Sequence, residues 1–273
     1  MLSGDHLDVD VLRRELVRPG GLWQAVEVVD RTGSTNADLA ERARRGAPAG
    51  SVLLTDFQDA GRGRQGRTWV APRGSGVAMS VLLRPSGVDH SRWTWLPLLA
   101  GLAVVEGVRR AADVPAVLKW PNDVLVGERK LCGILAERVE TPSGPACVVG
   151  MGLNVWLSAE ELPVPTATSL ALLAAERGPG HRPPSRNALI ATMLAALELL
   201  VDRWEDLEDD SLFAASYLRR CATVGRRVRV LLAGGVEVEG HADAIDDSGR
   251  LLVRTPAGLQ AFSAGDVVHL RNG

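Results

Sequence analysis

The stretch VLKWPNDVLVGERKLCGILAE, residues 117–137, predicts two short β-strands joined by a tight turn at Gly127-Glu128-Arg129. A third strand, over residues 146–156, follows the turn Pro142-Ser143-Gly144-Pro145. Glycine and proline supply the backbone conformations that tight turns need, whereas valine, isoleucine and leucine favour strands. Strands joined by such short turns pair antiparallel, so this region predicts an antiparallel sheet.

The segments before and after this region add further strands and helices. Three more strands are predicted at residues 25–29, 51–55 and 75–83. Helices are predicted at residues 8–17, 95–112, 187–204 and 211–220. Ser91 or Thr94 is the expected N-cap of the second helix, and Ser185 is the expected N-cap of the third. These elements predict an α+β fold with a largely antiparallel central sheet flanked by helices.

From about residue 220 the pattern changes to short alternating strands separated by glycine-rich turns. These strands are predicted at residues 226–232, 236–244, 250–254, 259–262 and 267–270. Five short strands at close spacing predict a small β-barrel. We therefore expect an N-terminal helical segment (1–24), a central domain (25–220) and a C-terminal barrel (221–273).

Composition limits the classes of function. The chain has 273 residues, a formal net charge of −2 and a pI near 6.2, which excludes a generally basic nucleic-acid-binding protein. Because the sequence carries no signal-peptide pattern and no apolar run long enough to cross a bilayer, we expect a cytoplasmic protein without a membrane segment. Cys132, Cys147 and Cys221 lack the short spacing of a zinc site or a disulfide framework, so we expect free thiols.

The stretch QDAGRGRQGRTW, residues 58–69, alternates glycine with arginine. The glycines allow positive φ angles and a close approach of the backbone to a ligand. Arg62, Arg64 and Arg67 bring planar, permanently charged groups that suit carboxylate and phosphate. The stretch therefore predicts a binding loop for a polyanion, which we call the arginine loop, although a solvated surface loop is an alternative.

Other known patterns fit the arginine loop less well. Gly61, Gly63 and Gly66 match the dinucleotide-binding glycines, but that motif requires a helix directly after them, and residues 68–72 predict a short strand running into a turn. A kinase loop lacks its accompanying lysine and catalytic motifs. An Arg-Gly-Arg core can enter an A·T-rich minor groove, yet this loop lies between predicted strands and not in a disordered tail.

The stretch TGSTNAD, residues 32–38, leads into a predicted helix. Ser34 or Thr35 is the expected N-cap, and Asp38, three residues after Thr35, resembles the second member of a capping box. Hydroxyl and amide groups at a helix N-terminus can also bind a small polar ligand. Both interpretations stay open, because capping does not prevent binding.

Five motifs follow one another along the chain: GSTN (33–36), QDAGRGRQGRTW (58–69), KWPND (119–123), KLCGIL (130–135) and GMGLN (150–154). In order and spacing they resemble those of the biotin protein ligase family. Agreement of several motifs in order is more specific than any one motif, and the likeness extends from about Val26 to Leu270. The sequence is most similar to the short, monofunctional type without an N-terminal DNA-binding domain.

This resemblance implies a mixed central sheet related to class II aminoacyl-tRNA synthetases and lipoate ligases, with an SH3-like C-terminal barrel. It also implies that biotin and Mg²⁺-ATP give biotinyl-5′-adenylate and pyrophosphate, after which the biotinyl group passes to one lysine of a biotin carboxyl carrier domain of an acyl-CoA carboxylase. Mg²⁺ would be held with ATP, and its protein ligands are left open. We expect no DNA partner, no membrane partner, and a monomer or weak dimer.

The resemblance also implies roles for individual residues. The residues expected to bind biotin are Ser34, Thr35, Asn36, Gln58, Arg62, Gly63, Arg64, Lys130 and Gly133. Those expected to bind ATP or the adenylate are Arg67, Trp69, Asn122, Asp123 and Asn154. Arg62, Arg64 and Lys130 are the expected catalytic residues, with Lys130 bridging the biotin carboxylate and the α-phosphate, and Trp69 is expected to stack on adenine. No enzyme nucleophile is needed, because the acceptor lysine attacks the adenylate.

Two residues of the arginine loop depart from the family pattern. Asp59 stands where a neutral residue is common, and Gln65 stands where many members have another arginine. The loop is thus less positive and is expected to hold the adenylate less tightly. Two alternative functions stay open: a lipoate-type acyl-carrier ligase, which would share the fold, and a DNA-binding, biotin-responsive regulator, which the acidic balance argues against.

Overall fold

The structure, a computed structural model, describes residues 5–270 and contains two β-sheets. The seven strands of the first sheet are Ala25–Val29 (β1), Ser51–Thr55 (β2), Gly76–Leu83 (β3), Val117–Lys119 (β4), Asp123–Val126 (β5), Arg129–Thr141 (β6) and Gly144–Asn154 (β7). Their order across the sheet is β1-β2-β3-β7-β6-β5-β4. Strands β1 and β2 pair parallel and the other neighbours pair antiparallel. This confirms the predicted mixed, largely antiparallel sheet flanked by helices.

Within residues 5–270 there are six α-helices: Val9–Leu16 (α1), Thr35–Arg44 (α2), Leu96–Ala112 (α3), Leu170–Glu176 (α4), Arg186–Asp206 (α5) and Ser211–Leu218 (α6). Ser185 caps α5 as predicted, by accepting from Ala188 N at 3.2 Å. The predicted N-cap of α3 is wrong, because a 3₁₀ turn from His90 to Trp95 precedes the helix and Asp89 caps that turn. The short helix α4 was not predicted from the sequence.

Helix α3 lies between the sheet and α5, and two glycines permit this close packing. A Cβ atom on Gly101 would lie 2.9 Å from Leu118 of β4. A Cβ atom on Gly107 would lie 2.6 Å from Met193 of α5. Because α3 packs on both sides, it is apolar almost all round, as a buried helix must be.

The N-terminal segment shares the main core. Leu12 and Leu16 of α1 are buried, and the fully buried Trp23 donates from its indole nitrogen to Leu194 O at 3.1 Å. Within residues 5–270, no helix combines the length and apolar composition needed to cross a membrane. The first four and last three residues, which the predicted segments 1–24 and 221–273 include, lie outside the described range.

The second sheet is antiparallel and lies at the C-terminal end. Its strands are Arg227–Leu231 (β8), Glu237–Ile245 (β9), Leu251–Thr255 (β10), Gly258–Phe262 (β11) and Asp266–His269 (β12), in the order β11-β10-β9-β8-β12. The Trp120 indole, at the end of β4, donates to Gly249 O of this module at 3.0 Å. The segment after β4 is therefore in contact with the turn between β9 and β10, and the boundary near residue 220 stays a prediction.

Two local predictions are wrong. Residues 68–72 form no regular strand; only Thr68 pairs, in a single bridge with Arg62. No capping box forms on α2, because Ser34 is its N-cap and the Asp38 carboxylate instead accepts from the Thr32 hydroxyl. The Asp38 side chain, which the local pattern assigned to capping, instead makes a tertiary contact with Thr32, outside the helix.

Candidate active site

A cleft of about 480 Å³ lies between the arginine loop and the sheet face formed by β3, β7, β6 and β5. It gathers residues that are far apart in sequence. The predicted site residues lining it are Ser34, Thr35, Asn36, Gln58, Arg62, Gly63, Arg64, Arg67, Trp69, Asn122, Asp123, Lys130 and Gly133. Asn154 is the exception: it is buried, donates to Thr168 O at 3.0 Å, and lines an adjoining groove instead.

The arginine loop is a small hairpin closed by its own backbone. Trp69 N donates to Gly61 O at 2.8 Å, and Gly63 N donates to Arg67 O at 2.6 Å. Gln65 at the tip has φ 54°, a left-handed conformation that is costly for a residue with a side chain. The tip of the arginine loop therefore has an unusual backbone conformation at Gln65.

The floor of the cleft is a pair of glycines on neighbouring strands. Gly133 of β6 pairs with Gly152 of β7. A Cβ atom on Gly152 would lie 2.5 Å from Trp69, and one on Gly133 would lie 3.2 Å from both Trp69 and Lys130. The absence of side chains at these two positions thus gives the indole ring and the lysine room to lie against the sheet.

One end of the cleft is a network of neutral polar groups. The Gln58 carbonyl oxygen accepts from Thr35 N at 2.8 Å and lies 3.1 Å from the Thr35 hydroxyl. The buried Ser80 hydroxyl lies 2.7 Å from the Thr35 hydroxyl and donates to Asn36 Oδ1 at 2.6 Å. Since Gln58 uses its carbonyl oxygen within the protein, its NH₂ group is the part that can donate to a ligand. Such a surface suits a neutral ligand with its own hydrogen-bonding groups.

Asn36 lines the cleft and also makes hydrogen bonds within the protein. Its amide nitrogen donates to Leu135 O at 3.1 Å and to Glu137 Oε2 at 2.7 Å. Both amide hydrogens are therefore already used, and the side chain is 4% exposed. Asn36 also orients Ser80 and, through it, Thr35. The GSTN motif predicted Asn36 as a site residue, and Asn36 lines the cleft, but the motif did not predict these internal hydrogen bonds.

The other end of the cleft carries charges. Lys130 Nζ lies 2.7 Å from Asp123 Oδ1, in the geometry of an ion pair rather than of an aligned hydrogen bond. It also lies 5.9 Å from the centre of the Trp69 ring. The exposed Arg62 side chain, which makes no hydrogen bond or ion pair among residues 5–270, is available to an incoming anion.

Arg64 and Arg67 connect the arginine loop to the C-terminal sheet. Arg64 donates to Asn122 Oδ1 and to Gly265 O, both at 3.3 Å. Burial lowers the pKa of Arg64, and the neighbouring Arg67 charge acts in the same direction, although a guanidinium stays protonated in proteins. Arg67 pairs with Asp266 of β12. Asp266 gave no signal in the sequence, because only the fold brings it to the loop.

The negative charge of Asp59, which departs from the family pattern, is offset by Arg31. Its carboxylate accepts from Arg31 Nη2 at 2.6 Å and from Arg31 Nε at 2.7 Å. This hydrogen bonding lowers the pKa of Asp59 and keeps it paired outside the cleft. The positive charge of Arg31 therefore largely offsets the negative charge of Asp59. This weakens the reason for expecting the site to be less positive.

The cysteines supply no nucleophile. Burial raises the pKa of Cys132 to about 12 and that of Cys147 to about 12, and it also raises the pKa of the half-buried Cys221. A thiol is reactive as its thiolate, so none of the three is suited to attack at neutral pH. All three are free, as predicted.

The residues present fit a magnesium ion that arrives with a nucleotide. Among residues 5–270, no group of three or more histidine, cysteine, aspartate or glutamate side chains could form a metal site. Mg²⁺ commonly binds through one or two carboxylates and the substrate phosphates. Asp123 offers one such carboxylate in the cleft, and Asn122 lies next to it.

Two sequence families match the chain. Residues 28–154 match the Biotin/lipoate A/B protein ligase family, and residues 223–270 match the Biotin protein ligase C terminal domain. The first match contains the cleft residues of the central sheet, and the second contains Asp266 and the strand that carries it.

Named relatives extend these matches. The chain is 44% identical over 269 residues to the Mycobacterium tuberculosis (strain ATCC 25618 / H37Rv) protein named Biotin--[acetyl-CoA-carboxylase] ligase, covering 97% of this chain and 96% of that protein. It is 32% identical over 244 residues to the Bacillus subtilis (strain 168) protein named Bifunctional ligase/repressor BirA, covering 87% of this chain and 72% of that protein.

The fold also matches solved structures. Biotin protein ligase from Aquifex aeolicus in complex with biotin and ATP has a TM-score of 0.77 and 25% sequence identity, covering 92% of this chain and 100% of that chain. The Leishmania major biotin protein ligase in complex with Biotinyl-5-AMP has a TM-score of 0.61 at 23% identity, which supports the fold alone. From the family matches and the 44% identical relative, we conclude that this chain belongs to the biotin protein ligase family.

Proposed function

We propose that this chain is an ATP-dependent biotin protein ligase, which forms biotinyl-5′-adenylate and transfers the biotinyl group to a lysine of a biotin carboxyl carrier domain. This proposal rests on how neutral polar groups and charged groups are distributed in the cleft. Neutral hydrogen-bonding groups around Gln58 lie at one end, and the cations Arg64 and Lys130 lie at the other. That arrangement matches a molecule with a neutral ring system and a carboxylate tail.

In the first step, a carboxylate oxygen of biotin attacks the α-phosphorus of ATP. A C–O–P linkage forms, the bond from the α-phosphorus to the bridging oxygen breaks, and pyrophosphate leaves with that oxygen and its electron pair. Two negatively charged groups must approach each other, so the site acts mainly through electrostatics and positioning. Lys130 lines the cleft and would bridge both anions, and Arg62 and Arg64 would act from the arginine loop.

The nucleotide would lie over Trp69, whose ring covers the glycine floor. Trp69 would stack its indole ring on adenine, and Arg67 would contact the adenylate after leaving its pairing with Asp266. When bound, Mg²⁺ offsets charge on the phosphates, and Asp123 with Asn122 would hold it on the protein side. Asn154 would act from the adjoining groove and not from the cleft itself.

In the second step, the amine of the acceptor lysine attacks the biotinyl carbonyl carbon and AMP leaves. An amide bond forms, the amine loses a proton, and the acyl-phosphate bond breaks. The arginine loop has a further task here, because it shields the mixed anhydride from water until the carrier arrives. Arg64 contributes to that cover by linking the loop to Gly265 of the C-terminal module.

The proposal is tested by pyrophosphate exchange. Purified protein with Mg²⁺, ATP and labelled pyrophosphate is expected to incorporate label into ATP only when biotin is present. Lipoate in place of biotin tests the alternative acyl-carrier ligase, and a carrier domain with its acceptor lysine changed to arginine is the control for transfer. Absence of biotin-dependent exchange and of carrier labelling would contradict the proposal, and salt-sensitive duplex binding without acylation would favour a DNA-binding regulator.

A further inference from the structure

A row of residues crosses four strands of the sheet beneath Trp69. In register, Gly152 of β7 pairs with Gly133 of β6, Gly133 pairs with Asp123 of β5, and Asp123 pairs with Lys119 of β4. Directly opposed residues of an antiparallel pair have side chains on the same face. The row therefore runs from the glycine floor, through a carboxylate, to an ammonium group on the edge strand β4.

Both lysines of the chain lie beside Asp123. Only two of the 31 Lys and Arg residues are lysines, and they are Lys119 and Lys130. Lys130 contacts Asp123 at 2.7 Å, and Lys119 is paired with Asp123 across the β4–β5 hairpin. A lysine ammonium is a compact point charge on a flexible stem, whereas arginine favours fixed, planar partners. A chain that otherwise uses arginine thus places its two compact cations on either side of one carboxylate.

Lys119 lacks an anionic partner of its own. Among residues 5–270 it forms no ion pair, although it is half-buried. Lys130 and Arg67 line the same cleft as Lys119, so Lys119 shares it with other cations. A partly desolvated cation beside other cations is unfavourable unless an anion reaches it, so the position favours binding of an anion.

Lys119 lines both the cleft and the adjoining groove of about 1250 Å³. The groove lies between the β4–β5 hairpin and the C-terminal sheet, and Arg226 and His269 line its other side. Arg226 is already paired with Glu128 at 2.7 Å. Lys119 has no carboxylate at ion-pair distance within residues 5–270, so it is free to take a ligand from the cleft.

We propose that Lys119 binds the β- and γ-phosphates of ATP and then the leaving pyrophosphate in this groove. The inference rests on the proposed function, because adenylation must release pyrophosphate opposite the attacking carboxylate. Lys119 lies two strand spacings, roughly 10 Å, beyond Gly133. This distance separates Lys119 from the nucleotide ring near Gly133, while Lys130 lies on the other side of Asp123. Lys119 is thus a binding residue for the leaving group.

The first test compares the two half-reactions in Lys119→Met, which keeps most of the length of the side chain and removes its charge. The KM for pyrophosphate in biotin-dependent exchange is expected to rise by roughly ten- to a hundredfold, the effect of one charged hydrogen bond. Transfer from supplied biotinyl-5′-adenylate to a carrier domain is expected to stay within about twofold of wild type, because that reaction needs no pyrophosphate. Lys119→Arg is expected to recover part of the lost affinity.

Arg227→Met is the matched control. Arg227 lines the same groove, but its side chain is 59% exposed and lies 3.9 Å from Glu239. Its removal is expected to leave the KM for pyrophosphate unchanged. An unchanged KM in Lys119→Met, or an equal loss in both half-reactions, would overturn the assignment. If the wild type also failed to transfer biotin from supplied adenylate, the proposed function itself would be at fault.

A second measurement needs no variant. Because Lys119 and Lys130 are the only lysines, acetylation of the wild-type protein can be followed at each by mass spectrometry. Magnesium pyrophosphate alone, without biotin or ATP, is expected to slow acetylation of Lys119. Unchanged acetylation of Lys119 at pyrophosphate concentrations above its KM would overturn the proposal, even if Lys119→Met did not fold.

Discussion

The indole ring of Trp69 lies against the backbone of Gly152, so that a Cβ atom at position 152 would come within 2.5 Å of its Cε2 atom. The same ring lies near Gly133, whose Cβ atom would be 3.2 Å from Cζ3. These residues belong to different motifs of the sequence, and the sheet pairs the two glycines directly. The motifs around 58–69, 130–135 and 150–154 therefore describe one surface and not three separate sites.

Gly152→Ala is expected to displace Trp69 and to raise the KM for ATP by about tenfold. The physical reason is that base–aromatic stacking contributes about 1–3 kcal/mol and requires a correctly placed ring. ATP-dependent formation of biotinyl-5′-adenylate is the measurement. Gly33→Ala is the control, because a Cβ atom there meets nothing within 4 Å. A normal KM for ATP in Gly152→Ala would mean that the position of the ring does not govern ATP binding.

Lys130→Ala is expected to reduce biotin-dependent pyrophosphate exchange by at least ten- to a hundredfold. Loss of one charged hydrogen-bonding partner costs about 1.5–3 kcal/mol, and the variant also leaves the Asp123 carboxylate without the ammonium that lies 2.7 Å away. Exchange kinetics give the size of the loss. Exchange near the wild-type rate would remove Lys130 from the mechanism, and circular dichroism would check that the variant is folded.

Arg64→Gly is expected to keep part of the adenylation activity but to release the intermediate. Arg64 links the arginine loop to Asn122 and Gly265, so its loss removes two contacts that hold the loop over the cleft. Released adenylate should biotinylate lysines of an added bystander protein, which an avidin blot measures. Arg73→Gly is the control, because Arg73 pairs with Asp30 outside the cleft. Retention of adenylate as firm as in wild type would contradict this role.

The sequence predicted the central sheet well because its signals are local. The turn at Gly127 and the alternating strands after it required no knowledge of distant residues. The same holds for β1 and β2, whose observed bounds equal the predicted ones. Short elements in irregular surroundings were less predictable: α4 has only seven residues, and the stretch 68–72 is strand-like in composition but makes its contacts with the loop.

The sequence predicted residues that the structure brings to one cleft, but it did not predict their contacts with one another. Motifs placed Thr35, Gln58 and Lys130 together, and the fold brings them to one cleft. No local signal could show that Asn36 donates both amide hydrogens to acceptors on β6. Nor could it show that Asp266 of the C-terminal sheet pairs with Arg67. Those relationships depend on which strands pair, which is a property of the whole chain.

Arg186→Met is expected to destabilise the folded state by about 3–5 kcal/mol, because it would leave charges without their partner in a desolvated environment. Arg186 is 1% exposed, and it contacts Asp56 at 2.7 Å and Asp5 at 3.3 Å. Denaturant unfolding measures the loss. Arg129→Met is the control: its pair with Glu176 is exposed, so the loss should be below about 1 kcal/mol. Equal losses in both variants would contradict this reasoning.

His269 is expected to make folding stability depend on pH. Burial lowers the pKa of His269 to about 4 from its usual 6.5, and the charges of Lys119 and Arg226 act in the same direction, while Glu128 opposes them. The ring nitrogen Nε2 lies 3.1 Å from the Thr223 hydroxyl, which accepts from Trp120 N and has its own hydrogen to donate to a neutral ring. The folded state therefore holds the imidazole neutral.

Above pH 6.5 the imidazole is neutral in both states, and its full contribution to stability is present. As the pH falls from 6.5 towards 4, the unfolded chain takes up a proton that the folded chain does not, so stability is lost through this window. We expect a loss of roughly 2 kcal/mol once solvent screening of the partly buried ring is allowed for. Urea unfolding of wild type and His269→Gln at pH 7 and pH 4.5 isolates this contribution, because the carboxylates titrate in both proteins. The variant should lose less stability than wild type on acidification, and parallel losses would show that the neutral imidazole is not what the fold requires at this position.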